Sequence, residues 1–250
     1  MVIEMSNVGI AFLLTIMAGL STLMGCIVIF FKGMDHNKII ANSLAFASGV
    51  MLCVSVIDLI PESLNLISKD NYWVTVGISI IFVFLGIVGS NFLDKMINNS
   101  NSSLLYKTGI LSMIAIIIHN VPEGIITFIT ANNNIRLGIS LTIAIALHNI
   151  PEGISISVPI YYATGSKIKA IFYTLISALS EPLGAILTYL FLINFINNFI
   201  LGILFSLIAG IMLYIAIFNL IPTAKKYQYA RSRFYFFIFG IIVMIIQALI

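Results

Sequence analysis

Ile116-Ile117-Ile118-His119-Asn120-Val121-Pro122-Glu123-Gly124-Ile125-Ile126 is followed by a second version of itself, Ile145-Ala146-Leu147-His148-Asn149-Ile150-Pro151-Glu152-Gly153-Ile154. The shared signature is His-Asn-x-Pro-Glu-Gly, repeated at an offset of 29 residues (119 to 148) inside long apolar runs. Histidine and glutamate are costly in hydrocarbon and are retained there with a partner or a function. Four residues apart on a helix, each His and Glu share one face. Imidazole nitrogen with carboxylate oxygen is a donor set for a divalent transition metal. The doubled motif therefore predicts a metal held between two membrane helices.

The composition agrees with a membrane setting. Sixty per cent of the 250 residues are hydrophobic and 8% are charged, against roughly 25% charged in a soluble domain. The expected fold class is an all-α integral membrane protein, one polytopic transport domain over residues 1–250. Met1 to Gly9 holds Glu4 and no basic residue, so the first apolar run is expected to be a retained span, not a cleaved signal. The only cysteines, Cys26 and Cys53, lie in apolar segments. They are read as small buried hydrophobes, since two cysteines make neither a disulfide framework nor a thiolate zinc site. No nucleic-acid partner is indicated by the net charge of +3, because the charge is distributed by loop.

Polar breaks divide the chain into eight apolar stretches near 8–31, 39–64, 73–93, 105–131, 136–162, 168–194, 199–221 and 234–250, each of bilayer-spanning length. Odd-numbered connections carry ten basic residues: Lys32, Lys38, Lys95, Lys107, Lys167, Lys169, Lys225, Lys226, Arg231 and Arg233. Even-numbered connections and both termini carry two, Lys69 and Arg136. Basic loops stay cytoplasmic, so both termini are expected outside. The Lys225 to Arg233 connection is expected to rest on anionic lipid. The polar Asn98-Asn99-Ser100-Asn101-Ser102-Ser103 reads as a flexible cytoplasmic linker.

A second echo lies outside the doubled motif. Gly49-Val50-Met51-Leu52 and Asp58-Leu59-Ile60-Pro61 match Gly210-Ile211-Met212-Leu213 and Asn219-Leu220-Ile221-Pro222 at a constant offset of 161 residues (49 to 210), with Asp58 opposite Asn219. The two segments cross in opposite directions, as do segments four and five. The pattern predicts a 3+2+3 inverted repeat, an arrangement that transporters use to bind substrate near the midplane.

His119 and His148 lie 14 and 12 residues into their apolar stretches, which at about 1.5 Å per residue is near mid-bilayer. Pro122 and Pro151 cannot donate to the carbonyls of Ile118 and Leu147, so each motif is expected to bend its helix. Gly124 and Gly153 would let a neighbouring helix or hydrated ion come close. Glu181, in Ser180-Glu181-Pro182-Leu183-Gly184, adds a third carboxylate. Ionised Glu123, Glu152 and Glu181 sum to about −3; one divalent cation leaves −1 and two leave +1, either far less costly than three bare carboxylates. Protonation until metal arrives is the alternative, and it would couple metal entry to proton release. A set without thiolate suits Zn²⁺, Fe²⁺, Mn²⁺, Co²⁺ or Cd²⁺. Asp58 and Glu62 are four apart near the outer end of segment two, where they would either draw cations inward or form an interfacial pair. Met51, seven residues before Asp58, offers a thioether on that face or simply packs. Asp35-His36, in the first cytoplasmic connection, reads as a solvated loop pair in preference to an exit site for metal.

These motifs resemble the ZIP family of zinc and iron transporters, in its bacterial ZupT-like or GufA-like branch. The resemblance rests on His119-Asn120-x-Pro122-Glu123-Gly124, His148-Asn149-x-Pro151-Glu152-Gly153, Ser180-Glu181-Pro182-Leu183-Gly184 and Ala47-Ser48-Gly49-Val50-Met51-Leu52. They stand in the family's order, and the resemblance extends over all eight spans. The resemblance implies a binuclear site: His119, Glu123, His148 and Glu152 with Met51 at one position, and Asn120, Asn149 and Glu181, sharing Glu123 and Glu152, at the other. It also implies uptake toward the cytoplasm and homodimers. Many eukaryotic members carry a His-rich loop between segments three and four; the linker here has no histidine.

The expected function is import of a divalent transition metal across a bacterial cell membrane. No enzyme activity and no catalytic cofactor are expected, the metal being cargo. The competing reading is an intramembrane metal-dependent hydrolase, in which the same His and Glu would hold a metal-bound water. Against it, the His-Glu-x-x-His signature is missing and no glutamate adjoins either histidine as a base.

Overall fold

The structure is a computed structural model describing residues 7–31, 33, 35–67, 71–98, 101–192 and 195–249. Glu4, Lys32, Lys69, Asn99 and Ser100, which entered the reading above, lie outside the described residues. Among the described residues, eight helices are long and apolar enough to cross a membrane. They are α1 Val8–Phe30, α2 His36–Ile67, α3 Tyr72–Ile97, α4 Leu104–Asn133, α5 Ile135–Thr164, α6 Lys167–Leu192, α7 Asn198–Lys225 and α8 Ala230–Ala248. The protein is thus an all-helical, multi-pass membrane protein. Most of these helices outrun the apolar stretches, because their ends add polar turns. Lys38, Lys107, Lys167 and Lys225 sit in such turns, where long basic side chains keep their heads in water.

Short polar residues start the helices, as unsatisfied N-terminal N–H groups require. Asp35 Oδ1 accepts from the Lys38 N–H at 3.1 Å, Ser103 Oγ from Tyr106 at 3.3 Å, Ser166 Oγ from Lys169 at 3.3 Å and Asn197 Oδ1 from Ile200 at 3.0 Å. Asp35 also accepts from the Tyr229 hydroxyl; the Lys38 N–H and this hydroxyl together hold its carboxyl below the usual range. Asn134 closes α4 and opens α5, accepting from Arg136 at 3.0 Å and Leu137 at 3.2 Å. α4 and α5 are therefore an antiparallel hairpin with a one-residue corner. Gly165 ends α5 in the left-handed region, at φ +67°, where glycine carries no side-chain penalty.

Two groups of helices result. α4 and α5 pack along their length, with α1 and α6 against them. α2 packs on α8, and α7 on α3 and the second half of α2. The groups meet chiefly where α2 lies on α5. Ser63, Ser79 and Ser206 join α2, α3 and α7 through Oγ–Oγ distances of 3.0 Å, the kind of polar contact that holds helices together in lipid. Only 17% of the apolar stretch of α3 and 11% of that of α8 is buried, against 67% for α7, so α3 and α8 form the periphery.

The helical path continues through Pro122 and Pro151. Among the described residues it is irregular instead in α1, α2, α6 and α7. α1 tightens to 3₁₀ over Thr22–Phe30, and π turns occupy Ser55–Leu59, Thr188–Leu192 and Ile215–Leu220. α6 also breaks at Leu179, directly before Ser180-Glu181.

Candidate metal centre

The hairpin sets the geometry. His119 lies fifteen residues before Asn134 and His148 fourteen after it, so at about 1.5 Å per residue both reach nearly the same depth, roughly 21–23 Å from the corner. The i,i+4 spacing then turns Glu123 and Glu152 onto the facing sides of the pair. Glu123 Oε1 lies 3.1 Å from His119 Nε2 and 2.9 Å from His148 Nε2, and Glu152 Oε1 lies 3.3 Å from His119 Nε2. Three donor atoms, from His119, Glu123 and His148, fall within 4.8 Å of one another. None of the four residues is more than 4% exposed.

The 2.9 Å contact is also a hydrogen bond between His148 Nε2 and Glu123 Oε1, and all three separations are close to the roughly 3.3–3.4 Å between neighbouring donors of a tetrahedral zinc bound at about 2.0–2.1 Å. The cluster is not fully satisfied from within: Glu152 Oε2 and Glu123 Oε2 are buried with no hydrogen-bond partner. Buried polar atoms are otherwise almost always paired.

A second, oxygen-rich group adjoins the first. Asn149 Nδ2 donates to the Ala18 carbonyl and to Glu181 Oε2, both at 3.0 Å. Asn120 Nδ2 donates to the Ser177 carbonyl at 3.2 Å. With the amide nitrogens tied down, Asn120 Oδ1, Asn149 Oδ1, Glu123 Oε2, Glu152 Oε2 and Glu181 Oε1 are all buried without partners. Buried acceptors without donors are costly unless something pairs with them.

The glycines of the motif admit helices. A side chain at Gly124 would meet the Glu181 carbonyl, and one at Gly153 the Thr22 carbonyl. α6 and α1 thus press their backbones onto α4 and α5, and Glu181 reaches the cluster for that reason. The anchoring carbonyls of Ala18 and Ser177 carried no sequence signal, since any residue type supplies a carbonyl.

The remaining candidates divide. Met51 is 1% exposed and belongs to the main apolar core. Glu62 accepts from Asn65 Nδ2 at 3.5 Å, whereas Asp58 lies exposed in the π turn of α2. Asp35 is occupied by capping and by Tyr229, and the His36 ring packs on Tyr162 at 5.1 Å.

Residues 100–248 match the family profile of the ZIP zinc transporter. The chain is 40% identical over 282 aligned positions to the zinc transporter ZupT of Clostridium perfringens, covering 99% of this chain and 98% of that protein. It is 38% identical to ZupT of Oceanobacillus iheyensis (98% and 99% covered) and 38% identical to ZupT of Campylobacter jejuni (94% of each). A profile matching more than half of the chain, with full-length relatives at this identity, establishes that the chain belongs to the ZIP zinc transporter family.

Proposed function

We propose that this chain imports a divalent transition metal, zinc first, into the cytoplasm through a binuclear centre between α4, α5 and α6. As a ZIP member it is a divalent-metal transporter and not an enzyme, which sets the hydrolase reading aside. The carrying observation is the convergence of His119, Glu123, His148 and Glu152 at 2.9–3.3 Å in a sealed site. In this reading those four hold one ion. Asn120, Asn149 and Glu181, sharing Glu123 and Glu152, hold the other. Met51 joins the first position on narrower grounds: it is buried on α2, which packs on α5. Iron, manganese, cobalt and cadmium suit the same donors.

The 3+2+3 inverted repeat is part of the proposal. Asn149 meets the Ala18 carbonyl as Asn120 meets that of Ser177. Gly153 meets the Thr22 carbonyl as Gly124 meets that of Glu181. Both correspondences keep one offset between α1 and α6, 159 residues (18 to 177, 22 to 181). With both termini outside, metal comes from the exterior, exchanges its water for the Glu123/Glu152 centre, and leaves inward. The central His, Glu and Asn ligands sit on one helix group, with Met51 alone on the other, so transport moves α1, α4, α5 and α6 against α2, α3, α7 and α8. The residence is the bacterial plasma membrane, in a single transport domain, with α3 and α8 free for lipid or for a second copy in a homodimer.

Flux of Zn²⁺, Fe²⁺ and Mn²⁺ into sealed proteoliposomes tests the proposal. Wild type is expected to fill the vesicles with zinc and Glu152→Ala to be inert. Undiminished uptake by Glu152→Ala would overturn the central site.

A further inference from the structure

A cleft of about 290 Å³ lies between α2, α7 and α8, away from the metal centre. Its lining changes character along the helices. Beside the α7–α8 connection it carries Lys225, in the last turn of α7, and Arg233, in the first turn of α8. One turn deeper come Ile221 on α7 and Phe237 on α8, with Ala45 of α2 on the third wall. No acidic residue is among those that line it.

The helices themselves close the deep end. A side chain at Gly49 would meet the Phe237 carbonyl, and one at Gly240 the Phe46 carbonyl. α2 and α8 therefore touch backbone to backbone there, as small residues permit in a membrane. At the charged end the guanidinium is fixed in place. Arg233 Nη1 donates to the Ala224 and Tyr227 carbonyls at 3.2 and 3.1 Å. These bonds use the N–H groups of Nη1 and leave those of Nε and Nη2 for a further acceptor. Capping the end of α7 accounts for Nη1 alone. It does not account for an apolar cleft beneath a pair of cations in a protein surrounded by lipid.

We propose that this cleft is a discrete site for one anionic phospholipid, its phosphodiester between Lys225 and Arg233 and an acyl chain along Ile221 and Phe237. Basic pockets between membrane helices on the cytoplasmic side take anionic headgroups, and the planar fork of arginine matches phosphate oxygens. A free phosphate would satisfy the cations but leave the apolar walls uncovered. The site is narrower than the general pull of a basic loop on the membrane surface. Arg231 and Lys226 belong to the same connection, yet Arg231 donates to the Tyr235 hydroxyl at 3.3 Å and Lys226 lines a separate cavity. The bound lipid would join α2, α7 and α8, within a single helix group. Its placement in the cytoplasmic leaflet rests on the topology proposed above; the site itself does not depend on the import reading.

Native mass spectrometry of the full chain in detergent, titrated with dioleoylphosphatidylglycerol, tests the site. One lipid per chain is expected, bound about tenfold more tightly than dioleoylphosphatidylcholine. Lys225→Gln and Arg233→Gln should each weaken it about fivefold. Arg231→Gln and Lys226→Gln make the same charge change outside the cleft and should leave binding within about twofold of wild type. Ala230 is exposed and also lines the cleft, so Ala230→Leu should weaken binding without changing any charge. Because Arg233→Gln also removes bonds to two carbonyls, Lys225→Gln and Ala230→Leu carry the test if that variant does not fold. Glycerol 3-phosphate, a headgroup without chains, should fail to displace the lipid. Equal weakening in all four charge variants would reveal diffuse attraction only, and displacement by equimolar glycerol 3-phosphate an anion site only. Either result, or the absence of any preference over phosphatidylcholine, overturns the proposal. A wild type that moves no zinc overturns the import reading and leaves this binding measurement standing.

Discussion

Glu123, Glu152 and Glu181 contribute the negative charge of the centre, and the amides fix where it is presented. Asn149 holds Glu181 Oε2 while tied to α1 through Ala18, so removing its side chain strips a buried carboxylate of its donor. Asn149→Ala is expected to cost about 1–3 kcal/mol, read as a lower unfolding midpoint in detergent. Glu181→Gln keeps the shape and removes a charge. Its zinc content by elemental analysis should fall from two ions per chain to one, and content unchanged at two would refute the assignment of Glu181 to the second position. Gly124→Ala places a methyl against the Glu181 carbonyl. Overpacking of this kind costs about 1–3 kcal/mol, and the expected readout is a lower unfolding midpoint together with lost zinc binding.

Among elements, the α4–α5 hairpin does the most with the least. Its one-residue corner makes the helices antiparallel, and equal distance from Asn134 puts the two histidines at one depth. Loss of the cap in Asn134→Ala is expected to cost about 1 kcal/mol, lowering the unfolding midpoint while zinc flux persists. Flux abolished without any change in midpoint would mean that the corner takes part in transport directly. The helical path continues through Pro122 and Pro151, and 3₁₀ and π turns fall in neighbouring spans.

At the scale of the molecule, two helix groups share one main interface, α2 on α5. His36 and Tyr162, with ring centroids 5.1 Å apart, bridge the groups at the ends of those helices. If transport moves one group against the other, joining the pair His36→Cys and Tyr162→Cys with a short bifunctional reagent in a background lacking Cys26 and Cys53 should stop zinc flux. Flux that survives complete cross-linking would contradict the moving-group mechanism. The same background permits a topology measurement. Asn132→Cys should label from outside and Ser166→Cys from inside; labelling of both from one side is incompatible with eight alternating crossings.

The sequence by itself determined the eight spans, the two histidines with their glutamates, and Glu181, because hydrocarbon makes every buried charge conspicuous and helical periodicity assigns it a face. Helix ends were less legible: the structure carries α7 on to Lys225 and starts α8 at Ala230, since polar turns at an interface do not differ in composition from loops. Tertiary structure alone decided which donors meet at 2.9–3.3 Å. It decided that the Ala18 and Ser177 carbonyls orient the asparagines. Those outcomes depend on backbone carbonyls and helix crossings, which no residue type announces. The doubled His-Asn-x-Pro-Glu-Gly specified the donors, and the crossing of α1 and α6 at Gly153 and Gly124 assembled them into a site.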